Sequence, residues 1–476
     1  MLTISRLSLF LIAAGSPVLA LAGPSSHDDP RGLMPVAPPP VSAAQAPCGD
    51  LPARPLTLPD LVDVALCRNP QTRVSWASVR AAAAGQGIAR AGNLPTVDLS
   101  VGPSFVRNDS FANTGFVDSN GQIVFGSSGS QQVNSSATLA VRYLLFDGGG
   151  RAARIDAADA RQRAALALYA DAAQGVVLTV VTAYNSLLAN RAVETANIAN
   201  VAFARQSRDL AAGRKTAGVA TSADRLQGET SLAQAELTLI QTRGNIRTAA
   251  AQLAVAAGLP PQTTLDLAPP APLASGDMLR RGADALIADA ERLRPDIIAA
   301  RANVDNANAN VRAQQSAGRP SVSVSATNTL SAVDASIDRN SGVVGLSLAV
   351  PIFSGWNQRY NIASARAEAE RQTALAEQTR QQAGLSVYSN YVALDNALAS
   401  LVTARALVAS ATESAALAQG RYKAGVGTFA DLLNAQSALA SARQQLAQNE
   451  FNVRTANAQL ARAVGGIGEA IDGERR

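Results

Sequence analysis

Four stretches of the chain alternate apolar and small polar residues with a period of two, the pattern of a strand with one apolar and one polar face. Ser321 to Leu330 reads Ser-Val-Ser-Val-Ser-Ala-Thr-Asn-Thr-Leu, and Leu346, Leu348 and Val350 alternate with Gly345, Ser347 and Ala349. Earlier in the chain, Val97, Leu99 and Val101 alternate with Asp98, Ser100 and Gly102, and Leu139, Val141 and Tyr143 with Thr138, Ala140 and Arg142. Strands are predicted over about 96–107, 134–146, 321–330 and 343–353. Each is close to the roughly 9–11 residues a tilted transmembrane strand needs, with the polar face toward an aqueous lumen and the apolar face toward lipid. Surface hairpins on a soluble domain would show the same alternation. A two-stranded hairpin is marginal alone, however, and no separate globular core is written beside either pair.

A second period, of seven, runs through two other segments. Leu432, Leu439, Leu446, Val453 and Leu460 recur at that spacing, with Ala442, Asn449, Ala456 and Ala463 three positions after the last four. Leu232, Leu239, Ile246 and Leu253 do the same, followed by Ala235, Thr242, Ala249 and Ala256. Large residues at one seam position and small ones at the other make a coiled-coil pattern for close packing. The helix expected before the first of these segments, from about Arg151 to Ala217, would span roughly 100 Å at 1.5 Å per residue. A long coiled coil that never meets a membrane is the alternative, and only the adjoining strands argue against it.

These elements occur twice, in order and in register. Asn69-Pro70 opens a helical run ending at Leu94-Pro95, and Arg294-Pro295 opens one ending at Arg319-Pro320. Leu145-Phe146-Asp147-Gly148 answers Ile352-Phe353-Ser354-Gly355, and Gly213 to Thr221 answers Gly420 to Thr428. The offset is 225 before the Phe-x-Gly marker and 207 after it, so the first copy carries 18 extra residues, which fall in a Gly/Ser/Asn-rich stretch from about Asn108 to Gln132. That stretch reads as an enlarged, solvent-exposed loop. Residues 56–258 and 294–465 are thus the two repeats, 259–293 a connector rich in Pro and Gly, and 466–476 a tail.

Ahead of the repeats, Arg6, an apolar stretch from Leu7 to Ala22 and Ala20-Leu21-Ala22 before Gly23 read as a cleavable secretory signal over 1–22. A Pro-rich arm follows over 23–55. Gly15, Ser16 and Pro17 leave the stretch short of the ~20 apolar residues of a membrane-spanning helix, and no later segment is expected to be apolar enough. Cys48 and Cys67 are the two cysteines. In an oxidising compartment they are candidates for one disulfide, worth roughly 3 kcal/mol for a loop of that size; a free Cys67 on a packed helical face is the other reading. Cys48 is far from the cleavage site, so no lipid-anchored N-terminus is expected.

Composition narrows the function. The chain is Ala-rich with 4% aromatic residues, which suits closely approaching helices better than a thick core. Its net charge of +5 is spread without basic blocks, giving nucleic-acid binding no support. The single histidine, His27, sits in the Pro-rich arm, so neither a His-containing metal site nor a Ser-His-Asp triad can be built, and no enzymatic activity or cofactor is expected. Closure of a sheet in lipid demands pooled strands. Two chains would give eight strands with a filled interior, so a conducting barrel needs at least three.

The opening Leu56 to Pro70, the run to Leu94-Pro95, the Phe-Asp-Gly-Gly at 146–149 and the paired Ala-Gly-Val-x-Thr turns resemble the TolC family of outer-membrane efflux proteins over nearly the whole mature chain. The resemblance implies a mostly α fold with membrane β: a homotrimer whose four strands per chain make a twelve-stranded barrel above an α-helical periplasmic tunnel. It also implies docking with a periplasmic adaptor and an inner-membrane pump, an ABC transporter for type I secretion of a toxin of the repeats-in-toxin class, or a proton-driven pump for small-molecule efflux. A periplasmic adaptor or scaffold is a third reading, which leaves the strands unexplained. In the family, polar links around the second turn close the tunnel. Tyr422 matches a Tyr of that network and Asp431 an Asp ring, whereas Gly427 stands where an Arg partner would and Asn434 where a second Asp ring would. A gate held by other links and a weaker cation preference are therefore expected, three Asp431 carboxylates favouring cations. Asp431 also reads as a helix-start carboxylate, as does Asp224 in the first turn. Arg214, Lys215, Arg421 and Lys423 flank the turns as candidate adaptor contacts or solvated tips, and Gly218 and Gly425 shape those turns.

Overall fold

A computed structural model of the chain describes residues 54–111, 115–124, 127–270, 277–334 and 336–468, together with Gly32, Leu33 and Pro35. The signal reading over 1–22, most of the arm and the end of the tail lie outside these residues. The elements in order are α1 (Leu58–Arg68), α2 (Pro70–Ala91), β1 (Thr96–Phe111), β2 (Phe116–Val117), β3 (Ile123–Val124), β4 (Ser127–Phe146), α3 (Gly150–Thr216) and α4 (Ser222–Ala256). Then come α5 (Asp277–Arg280), α6 (Ala283–Leu293), α7 (Pro295–Ser316), β5 (Ser321–Val333), β6 (Ser336–Ala349), α8 (Asn357–Lys423) and α9 (Phe429–Val464).

β1, β4, β5 and β6 form one antiparallel sheet in that order, which leaves β1 and β6 as edges. The register puts the expected alternates on one face. Val97, Leu99 and Val101 lie opposite Val141, Leu139 and Ala137; Val141 lies opposite Ala326 and Tyr143 opposite Val324; Val324 and Val322 lie opposite Leu346 and Leu348. The other face is hydroxyl-rich, with Thr138 and Thr329 hydroxyls 3.2 Å apart and Ser323 and Ser347 hydroxyls 2.8 Å apart. Leu99, Val344 and Leu346 are exposed, so the apolar face has no cover within the chain.

The strands differ from their predicted bounds. β1 and β4 run on to Phe111 and back to Ser127, so much of the Asn108–Gln132 stretch expected as loop is ladder, with the small β2–β3 hairpin beyond it. Small polar residues keep the alternation going without an apolar face to betray it. β5 and β6 likewise extend to Val333 and back to Ser336. β6 stops at Ala349 rather than near 353, because Pro351 has no N–H for the ladder.

The two copies fold as antiparallel helical hairpins, α3 with α4 and α8 with α9. The heptads work differently in each. In α9, Leu432, Leu439, Val453 and Leu460 are buried along with Ala442, Ala456 and Ala463. In α4 the small seam, Ala235, Thr242, Ala249 and Ala256, is buried throughout, while of the large seam Leu253 is buried and Leu232, Leu239 and Ile246 stay half-buried. The reason is packing: α9 packs along both α8 and α3, whereas α4 packs along α3 and meets other elements only locally, α9 at Gly228 and α1 near Leu253.

Larger side chains gather midway along the hairpins, where the short elements join. α1 closes one cluster with Val176, Val177, Val180, Leu187 and Leu253, and α6 closes another through Leu286 with Val387, Leu394 and Leu460. The repeat is repeated in detail here. Asn69 Nδ2 donates to the Ala256 carbonyl at 3.0 Å, and Arg294 Nη1 to the equivalent Ala463 carbonyl at 3.0 Å. Gly258 (φ 74) and Gly465 (φ 95) end α4 and α9 in the left-handed region; a Cβ on them would lie 2.7 Å from the Arg68 backbone and 3.0 Å from that of Leu293.

One expectation fails outright. Windows within α3 and α8 do reach the length and apolarity of a membrane span, at mean hydropathy 1.6 and 1.4. In α3 the apolar residues pack on neighbouring elements, 44% of its window being buried inside the chain, whereas 17% of the α8 window is. Cys67 is not a free thiol, and Cys48 lies outside the described residues.

Candidate functional site

The end of the hairpins far from the sheet is built from two near-identical turns. Each long helix stops in a Schellman motif: the Gly218 and Val219 amides donate to the Lys215 and Arg214 carbonyls, and the Gly425 and Val426 amides to the Tyr422 and Arg421 carbonyls, all at 3.0–3.1 Å. Gly218 (φ 76) and Gly425 (φ 80) supply the left-handed residue that motif needs. Each following helix opens with a capping box. The Asp224 amide donates to Thr221 Oγ1 at 3.2 Å and the Asp431 amide to Thr428 Oγ1 at 3.1 Å, while the Thr221 and Thr428 amides donate back to those carboxylates.

Between the turns the chain ties its hairpins together. Arg214 lies with its guanidinium 4.8 Å from the centroid of the Tyr422 ring, and its Nη1 donates to the Tyr422 carbonyl at 2.7 Å and to that of Lys423 at 3.4 Å. A cation at the carbonyl end of α8 is favoured by the helix dipole as well as by these bonds. Tyr422, only 3% exposed, packs on Phe429 at a centroid distance of 5.2 Å, with Ala211 and Leu432 completing the cluster. Gly228 of α4 admits the Phe429 ring: a Cβ there would come within 3.3 Å of it. Burial, then the Asp224 charge, push the Tyr422 hydroxyl above its ordinary value, with Arg214 opposing. That hydroxyl is buried and has no hydrogen-bond partner among the described residues.

The other predicted residues are brought to one open groove on the second hairpin. Gly427, Asp431 and Asn434 line it with Arg421, Ser414 and Leu417. The Asp431 carboxyl is held below its ordinary value, mainly by the Thr428 hydroxyl and amide and further by the Arg421 charge. Asp431 is therefore a helix cap and an exposed groove carboxylate at once. Gly427 is required for closeness, since a Cβ would meet that of Arg421 at 3.0 Å. The cation that reaches the second turn within the chain is Arg214 of the first turn, through the Tyr422 and Lys423 carbonyls.

Arg214 stands apart among the tip cations, half-buried and engaged within the chain. Arg421 and Lys423 are exposed and Lys215 half-exposed. Sequence reasoning could not separate Arg214 from Arg421, its equivalent in the duplicate. It also passed over the polar bridges higher in the hairpins. Asn197 Nδ2 donates to Thr242 Oγ1 at 2.8 Å and Asn197 Oδ1 accepts from Gln444 Nε2 at 2.5 Å, and Gln436 Nε2 donates to Ser207 Oγ at 2.6 Å. Polar residues interrupting the small seam, such as Thr242, were the available signal. Among the described residues no group of three or more His, Cys, Asp or Glu side chains converges as a metal site would.

Comparison with known proteins agrees with this geometry. Protein CyaE of Bordetella pertussis is 34% identical over 425 residues, 88% of this chain and 86% of that protein. The solvent efflux pump outer membrane protein SrpC of Pseudomonas putida is 31% identical over 36% of this chain and 38% of its own. The MtrE outer membrane channel of Neisseria gonorrhoeae, solved in its open state, superposes with a TM-score of 0.70 at 20% identity, over 92% of this chain and 98% of that one. The chain is mostly helical with four antiparallel strands, the protomer of a trimeric outer-membrane channel with a β-barrel and a helical periplasmic part. Channels of this kind work with adaptors and inner-membrane transporters. Residues 61–259 and 286–466 match the family described as outer membrane efflux protein, and the chain belongs to that family.

Proposed function

We propose that this chain is the exit duct of a tripartite type I secretion system, conducting a polypeptide passively from an inner-membrane ABC transporter and a periplasmic adaptor to the exterior. The observation carrying the duct is the sheet: one uncovered apolar face, one hydroxyl-lined face and two open edges, joined to hairpins about 100 Å long. Polypeptide cargo is supported by the likeness to Protein CyaE, 34% identical over 88% of the chain, against 26% over 69% for an outer membrane efflux protein of Brucella suis. Small-molecule efflux is the second reading, favoured by the family's own description. Asp431 and Asn434 narrow the duct in this reading, Asp431 favouring cations, and Arg421 and Lys423 meet the adaptor.

Deleting the gene and assaying both exports decides between cargoes. Loss of one large secreted protein with unchanged drug tolerance is the expected result; intact secretion with drug sensitivity overturns it. In planar bilayers the purified protein should conduct, with Asp431→Asn lowering cation preference several-fold. An Asp431→Asn channel of unaltered selectivity would remove that residue from the constriction.

A further inference from the structure

We propose that the junction between β6 and α8 is a lipid-anchoring site, in which Phe353, Trp356 and Tyr360 lie in the headgroup layer of the periplasmic leaflet and Arg359 reaches a phospholipid phosphate. The proposal rests on the outer-membrane location given above. The internal duplication exposes it. Gly149 (φ 92) occupies the junction position of the first copy, and its equivalent Trp356 keeps a left-handed backbone, φ 66, that side-chain-bearing residues rarely adopt. Arg359 and Tyr360 likewise replace Ala152 and the buried Ala153.

Nothing in the chain's own core asks for these side chains. Trp356 is 53% exposed, Tyr360 74% and the neighbouring Ile352 94%. Phe353 meets Trp356 edge-on at 5.8 Å between centroids, and the Arg359 guanidinium stacks 4.6 Å from the centroid of the same ring. In the first copy Asp147 binds the local cations, accepting from the Arg151 amide at 2.6 Å and from Arg154 Nη2 at 3.3 Å. Its equivalent is Ser354, so the second copy has lost the carboxylate, and Arg359 has no ion pair among the described residues.

The cluster also continues the lipid-facing surface. Phe146, Val322 and Leu348 form one cross-strand row at the helix end of the sheet, and exposed Val350 and Ile352 carry the apolar strip onward to Trp356. Amphipathic aromatic rings at the edge of an apolar band belong at headgroup depth, and a guanidinium beside them matches a phosphate.

The full chain reconstituted in phosphatidylcholine vesicles with brominated acyl chains tests this by tryptophan quenching, comparing wild type with Trp356→Gly; Trp76, against Tyr169, is the other tryptophan. The Trp356 component should be quenched at least twofold, and more by bromines near the headgroup than near the chain end. No quenching in any of these vesicles, as would follow if a second copy of the chain covered the ring, overturns the proposal. Trp76→Phe, which leaves Trp356 as the sole emitter, gives the same reading independently. Trp356→Gly restores the residue the backbone favours, so it should melt no lower than wild type in detergent yet lower in vesicles; an equal change in both would mark a merely structural role. Arg359→Gln should remove the extra melting temperature gained in phosphatidylglycerol over phosphatidylcholine vesicles, and an undiminished gain would sink the phosphate contact.

Discussion

At the tip, single side chains decide how the two hairpins are held together. The Arg214 bonds to the α8 carbonyls should make Arg214→Ala costly, by about 1–3 kcal/mol for charge-assisted hydrogen bonds. Tyr422→Phe deletes a buried hydroxyl that has no partner among the described residues, so it should not lower the melting temperature of the detergent-solubilised protein. Equal losses in both variants would show that the hydroxyl is bonded across the assembly. Asp431 sets a pH dependence. Its carboxyl is more acidic in the folded state, so the cap contributes above the ordinary carboxylate value of 3.8 and is lost as pH falls through the lowered one. Proteolytic cleavage at the second turn should therefore rise below about pH 4, and Asp431→Asn should flatten that rise. Neither role was fully legible from residue type. Asp431 announced its cap through Thr428 three positions earlier, but Arg214 and Arg421 are the same residue in the same motif, and only the asymmetric packing of α9 on α3 turns one inward.

Elements were read best where a period had no competitor. The apolar alternation fixed the faces of all four membrane strands, and the Pro-to-Pro runs of equal length became α2 and α7. Polar alternation concealed the outer halves of β1 and β4, because Ser, Gly and Asn in a ladder look like a loop. Hydropathy was underestimated in α3, where residues between Val176 and Leu188 are apolar enough for a span and form core. The heptad of α4 held in period, and of its two seam positions the small one is buried throughout while the large one is buried only at Leu253, because α3 is the one helix it packs along at length. The joints midway along the hairpins give the sharpest test of element packing. Gly465→Ala must place a Cβ against the Leu293 backbone from a left-handed residue, which should cost at least about 2 kcal/mol. Gly258→Ala should cost a similar amount, and denaturant midpoints of the full chain compared with Gly244→Ala, where space is open, would check both.

On the scale of the whole molecule, the sheet with two free edges and an uncovered apolar face is a fragment of a larger wall. The order of the motifs made this readable before any coordinate, because strands and hairpins were duplicated together. If Cys48 and Cys67 are joined, Cys48→Ser should lower stability by roughly 3 kcal/mol and abolish the mobility shift between reduced and non-reduced gels. An unshifted wild-type band would show that the two cysteines are not joined. The duplication itself has a geometric consequence. Three copies of a twice-written chain form a wall whose repeating unit recurs six times around the axis, yet the enlarged β1–β4 connection and the tryptophan at 356 each occur only three times. The wall is nearly sixfold while both of its rims are threefold, so an antibody or phage approaching from outside meets three tall hairpins and three short ones in alternation.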